Sequence, residues 1–263
     1  MRAVLGAAAA AGAATALLGA ALTRSPIVRS RNHRGLLVPS AAGLAPVLAT
    51  AGALWWLHGS RPGAGPGPAI AALAFGMLGL IDDVAGGSGP RGWKAHLRSI
   101  RDRRPSTGAL KLTGGVVAAL LIARAIDPSV ETMVVRAAAL AMTANLANLL
   151  DVRPGRAGKG LLVVSALLLA TGPRGGAPSV VVVAAGVMAF LPFDLRERAM
   201  LGDAGANGLG AALGAVLATS TVASLVALGA LVPLHVLAER PGFTALIERS
   251  RRLDALDRWG RPA

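Results

Sequence analysis

Cysteine is absent from the 263 residues. That absence excludes a disulfide framework, a Cys-based zinc or redox site and thiolate catalysis, and it leaves the redox compartment open. Aromatic residues make up only 3% of the chain, too few to build the stacking platforms on which nucleic acids are bound. Histidine is scarce as well: His33, His58, His96 and His235 show no metal-ligand spacing, and no serine nucleophile elbow is present. Neither a zinc nor a serine hydrolase is supported. Charged residues amount to 15% against 54% hydrophobic, and the mean hydropathy is +0.59. Such a chain is too apolar for an ordinary soluble domain, and the bilayer is its natural solvent.

Apolar runs are what the sequence has in abundance. Nine stretches, roughly 3–22, 41–58, 68–82, 108–126, 132–150, 159–172, 177–192, 204–219 and 221–238, are candidates to cross a ~30 Å hydrocarbon layer. The first has the length of a signal peptide, but its apolar run leads into an Arg-rich stretch and fits a transmembrane helix better. From Ala204 to Ala238 no charged residue occurs in 35 positions. That is too long for one span, and a break near Thr219-Ser220-Thr221 makes it a helical hairpin. Gly and Ala dominate several spans, which permits close approach of helix backbones in lipid. The sequence shows one membrane domain, 1–238, and no internal repeat. The tail 239–263 interleaves Phe243, Leu246, Ile247, Leu253, Leu256 and Trp259 with charges at helical spacing, as expected of a basic amphipathic helix on the membrane surface.

Orientation follows from the basic residues. With the N-terminus outside, nine crossings place 22 of the 27 Lys and Arg residues on the inner side, as the positive-inside rule requires. Arg2, Arg61, Arg124, Arg136 and Arg174 remain outside. The formal charge of +14 is thus concentrated in inner loops facing anionic lipid or phosphorylated substrates, not in a nucleic-acid surface. The same assignment puts 11 of 13 acidic residues inside, all but Asp127 and Glu131. The expected fold is an all-α polytopic membrane bundle of about nine transmembrane helices, N-terminus outside and C-terminus cytoplasmic, with its chemistry on the cytoplasmic face.

Four groups of residues at that face can carry chemistry. Asp82 and Asp83 close the run Phe75-Gly76-Met77-Leu78-Gly79-Leu80-Ile81. Acids at a helix C-terminus oppose the macrodipole, and acids at membrane depth are usually retained for ions, protons or substrates. A Mg²⁺ and phosphate site is favoured over simple helix termination. Asn145, Asn148 and Asp151 recur every three residues, a slow spiral that would point into one shared space. Amides can hold phosphate or sugar hydroxyls and a carboxylate a proton or metal, although interhelical hydrogen bonding would use Asn equally well. Asp203, in Leu201-Gly202-Asp203-Ala204-Gly205, stands at the start of the eighth run, where it is either an N-cap or part of an anion and metal site. Lys111 lies near the inner start of the fourth run, where its ammonium reaches a pyrophosphate or snorkels to the interface.

The order of these blocks resembles the polyprenyl-phosphate N-acetylhexosamine-1-phosphate transferase superfamily across most of the chain. Asp82-Asp83 is similar to that family's aspartate pair, Asn145, Asn148 and Asp151 to its N-x-x-N-x-x-D motif, and Gly202-Asp203-Ala204-Gly205 to its G-D-x-G motif. Lys111 occupies the place of its loop-to-helix lysine, and Asn32 to Gly43 is similar to its first cytoplasmic loop. The chain departs where the family continues D-G-x-D-G: here Asp151-Val152-Arg153-Pro154-Gly155 carries Pro154 in place of the second aspartate. The histidine cluster of the family's last cytoplasmic loop and a tenth span are also missing.

The resemblance implies a Mg²⁺-dependent enzyme of a bacterial-type plasma membrane that transfers a sugar 1-phosphate from a UDP sugar to a polyprenyl phosphate in cell-envelope glycan synthesis. UMP is released. It assigns Asp203 and Asp151 to the metal, Asp82 or Asp83 to the lipid phosphate's proton, and Lys111, Asn145 and Asn148 to substrate. The expected partners are the UDP sugar, the polyprenyl phosphate and membrane lipids, not nucleic acid; a homodimer is left open. Two other classes stay in view: a noncatalytic relative that binds lipid phosphate or an envelope partner, and a small transporter.

Overall fold

The structure is a computed structural model that describes residues 1–24, 28–59, 65–85, 107–240 and 242–262. Arg61 and the basic loop residues Arg91, Lys94, His96, Arg98, Arg101, Arg103 and Arg104 lie outside them. Among the described residues there are nine long helices, one for each apolar run. They are α1 (Arg2–Leu22), α2 (Leu44–Gly59), α3 (Gly67–Ala85), α4 (Thr107–Ile126), α5 (Val130–Leu150), α6 (Arg156–Thr171), α7 (Ala177–Leu195), α8 (Gly202–Ala218) and α9 (Thr221–Glu239). A helix is the form in which a lipid-embedded backbone satisfies its own polar groups, so the runs and the helices coincide. The protein is all-α.

Seven of the nine, α2 being counted with the helical turn Ala41–Gly43 that leads into it, are long and apolar enough to cross a membrane, making this a multi-pass membrane protein. The exceptions are α6, with 16 residues, and α8, with 17. A helix of 16 residues measures about 24 Å, short of a full hydrocarbon core. For α8 the shortfall is tolerable because protein, not lipid, surrounds it: every residue from Ala204 to Ala218 is buried. One core packs Leu209, Leu213 and Val216 of α8 with α1, α2, α6 and α7. The other packs Ala211 and Ala215 with α3, α4 and α5. By contrast α9 buries only Ser224 and Leu231 and presents Val222 and Val226 outward, the expected face of a helix against acyl chains.

The hairpin break falls where the charge-free run suggested. Helix α8 ends at Ala218, and the Ser220 hydroxyl accepts the Ala223 N–H at the start of α9 (3.3 Å). At the same end of the bundle Arg136, buried, binds Asp127 at 2.5 Å and donates to the Ala218 carbonyl, closing the C-terminal end of α8. Two features differ from the sequence expectation. The first loop forms a small antiparallel hairpin, β1 (Arg29–Arg31) and β2 (Leu37–Pro39), pairing Arg29 with Pro39. The tail is two short helices, α10 (Phe243–Glu248) and α11 (Arg251–Arg258), because the Ser250 hydroxyl caps a fresh start by accepting from the Leu253 N–H.

Candidate active site

Helices α3 and α8 approach closely through glycine. A Cβ at Gly79 would lie 2.2 Å from the Asp203 carbonyl oxygen, so only glycine lets the last turns of α3 lie flat against the start of α8. That approach places the two carboxylates at the end of α3 beside the first turn of α8. Both oxygens of Asp83 accept backbone N–H groups there, from Asp203 at 3.2 Å and Ala204 at 3.0 Å. Asp83 therefore caps α8 from a neighbouring helix, and Asp203, one residue into α8, is freed from capping its own helix. Gly202 makes the entry turn with φ +61°, and a Cβ there would meet Asp83 and the Ser40 carbonyl. The first-loop segment Pro39-Ser40 thus abuts the same turn, and the Met200 N–H donates to the Pro39 carbonyl at 3.1 Å.

Lys111 reaches across from α4 to this point. Its Nζ hydrogen-bonds Asp203 Oδ2 and lies 3.4 Å from Asp82 Oδ2. Asn148 joins from α5: with its amide oxygen facing Lys111, it accepts from Nζ at 3.2 Å and donates to Asp203 Oδ1 at 2.8 Å. Three side chains from three helices thus meet the ammonium of a fourth, all partly shielded from solvent. Asp203 is steadied further by Asn207, which donates to its carbonyl at 2.7 Å.

Asp151 stands at the C-cap of α5, its N–H bonded to the Asn148 carbonyl. Burial pushes its carboxyl well above the ordinary range, and the nearby charges of Asp194, Asp203 and Asp83 add to the effect. Asp194 is a residue that sequence reasoning passed over. It ends α7, is buried, and accepts the Gly155 N–H at 3.0 Å, holding the turn after Asp151. Asn145, by contrast, is exposed on α5 and is not drawn into the cluster.

The donor set is oxygen throughout, the chemistry that suits Mg²⁺ or another hard cation, and the Lys111 ammonium already sits as a positive charge among those oxygens. Among the described residues no three carboxylate or imidazole groups converge as a ready-made metal cage. Magnesium does not need one, since one or two carboxylates and substrate phosphates commonly suffice.

The family model of glycosyl transferase family 4 matches residues 66–221, a stretch that contains Asp82, Asp83, Lys111, Asn148, Asp151 and Asp203. The chain belongs to this family. It comprises the polyprenyl-phosphate hexosamine-1-phosphate transferases, and membership implies transfer of a sugar 1-phosphate from a UDP sugar to a polyprenyl phosphate. The glycosyl transferases of this family are metal-dependent. No curated protein matches the chain.

Proposed function

We propose that the Lys111 cluster is the phosphosugar-transfer site of a cytoplasm-facing, nine-span enzyme, with residues 1–238 as membrane domain and 239–263 as tail. The observation that carries the reading is the meeting of Asp82, Lys111, Asn148 and Asp203, from four separate helices, at one end of those helices. Scaffolding alone does not require an ion cluster of this kind at the edge of an apolar bundle.

The polyprenyl phosphate oxygen attacks the sugar-bearing phosphorus of the UDP sugar. The P–O bond to the uridine-side phosphate breaks, UMP leaves, and a lipid diphosphate sugar forms. Asp83 has both oxygens committed to the N-terminus of α8, which leaves Asp82 as the carboxylate that takes the lipid phosphate's proton. Lys111 changes partners, turning its ammonium from Asp203 to the diphosphate, while Asn148 orients the transferred phosphate. Asp203 and Asp151 would hold Mg²⁺, which when bound neutralises the charge on the diphosphate. The first-turn amides of α8 are already used, those of Asp203 and Ala204 by Asp83 and that of Gly202 by Asp151, so charge stabilisation falls to side chains.

The test is product formation. Purified protein given polyprenyl phosphate, Mg²⁺ and UDP sugars should yield a lipid diphosphate sugar detectable by mass spectrometry, and Asp203→Asn, folded normally, should reduce it by about a hundredfold or more. Full activity in Asp203→Asn would remove that residue from the site. A folded wild type without product from any donor would favour the noncatalytic lipid-phosphate binder.

A further inference from the structure

We propose that the C-terminal tail is part of the framework of the active site, with Asp257 and Arg261 as positioning residues for the turn that carries Asp151. The inference rests on the reading of Asp151 as a residue of the transfer site.

The tail begins 18 residues beyond the end of the family match at residue 221, counting from 221 to Glu239, yet it is tied to the site by buried and directional contacts. Asp257 of α11 is 8% exposed and Arg156, at the start of α6, 5%. Their side chains form a two-pronged pair, Nε to Oδ1 at 2.8 Å and Nη2 to Oδ2 at 2.9 Å, across 101 positions of sequence. Such a fork fixes direction as well as distance. Arg261 then reaches the turn itself, donating from Nε to the Pro154 carbonyl at 2.8 Å while its Nη2 lies 2.9 Å from Asp257. Lys159, one turn further along α6, donates to the carbonyls of Leu256 (3.0 Å) and Asp257 (2.7 Å), where the end of α11 offers unpaired acceptors.

The turn from Asp151 to Gly155 is short and contains no regular structure of its own. Gly155 takes φ +73°, and its N–H is held by Asp194 from inside the bundle. The tail grips the other side, at the Pro154 carbonyl and at Arg156. Two opposed holds on a five-residue turn fix where Asp151 can point, and small displacements of reacting groups are costly in rate. A tail that only lay on the membrane surface would place its charges toward water and headgroups. Here Asp257 faces the protein instead.

The experiment compares wild type with Asp257→Asn and, separately, Arg261→Gln, each in the full chain. Asp257→Asn keeps the shape of the side chain, and Arg261→Gln leaves the Arg156–Asp257 pair intact, so a folding failure of one does not remove the test. Turnover is expressed per folded molecule. We expect kcat to fall by about tenfold to a hundredfold with KM for polyprenyl phosphate unchanged, and hydrogen exchange over residues 152–156 to accelerate while α1, α2 and α8 exchange as before. Unchanged exchange in both variants overturns the inference, and so does faster exchange with kcat unaltered. A wild type that shows no turnover, with exchange accelerated in the variants, refutes the transfer reaction and leaves the hold on the turn standing.

Discussion

Each residue of the proposed site interrupts an apolar context at a cost. Asp82, Lys111, Asn148 and Asp203 were legible in the sequence for that reason: a polar group at the end of a hydrophobic helix needs an explanation. Their mutual contacts were not legible, since no spacing along the chain reveals that Lys111 lies within reach of Asp203, 92 positions away. Asp194 was missed because it stands where an apolar run meets Arg196-Glu197-Arg198 and reads as the start of a charged loop; only its tertiary burial distinguishes it. Asn145 was expected to share the inner face of α5, yet a three-residue step turns a helix short of a full circle by about 60°. That drift is enough to leave Asn145 exposed while Asn148 faces Lys111. Asp257 offers a test by pH. Burial alone would raise its carboxyl, but hydrogen bonds and charge from Arg156, with Arg261, outweigh it and hold the group below the usual range. A depressed carboxyl stabilises the folded state above its unfolded value, about 4, and that contribution is lost as pH falls through the lower folded value. Asp257→Asn should therefore melt below wild type at neutral pH, with the difference closing only in strong acid. A difference that persisted there would mean that the pair's charge does not contribute.

At the scale of elements, hydropathy located all nine long helices among the described residues, and the charge-free stretch divided at Ser220 as its length required. Two things escaped it. A hairpin as short and charged as Arg29–Pro39 has no apolar alternation to announce it, and is held by contacts remote in sequence, such as Asn32 donating to Glu197 at 2.6 Å. The central place of α8 was hinted at by its glycine and alanine content, but small residues equally suit any tight helix pair. The α3–α8 contact depends on that smallness. Gly79→Ala should push α8 away from α3, lower stability by about 1–3 kcal/mol or more, and cut activity beyond the loss of folded protein because Asp203 moves with the backbone. Thermal melting in detergent alongside turnover checks this. A variant as stable and as active as wild type would show that the helices separate easily.

For the whole molecule, the distribution of basic residues between the loops predicts an orientation, because a bilayer, and not the fold, distinguishes the two faces. The absence of cysteine makes the question direct. Single substitutions Arg174→Cys and Arg258→Cys, in cells exposed to a membrane-impermeant thiol reagent, should label at 174 from outside and at 258 only after the membrane is opened. Labelling of 258 in intact cells would invert the molecule and put the Lys111 cluster on the wrong side for a cytoplasmic UDP sugar. Transfer of a sugar phosphate by this cluster is read from UMP release from a panel of UDP sugars with polyprenyl phosphate and Mg²⁺, in wild type and in Lys111→Met. Release that needs both lipid and metal and is abolished by Lys111→Met is the predicted result. UMP release that proceeds equally well in a folded Lys111→Met protein would contradict it.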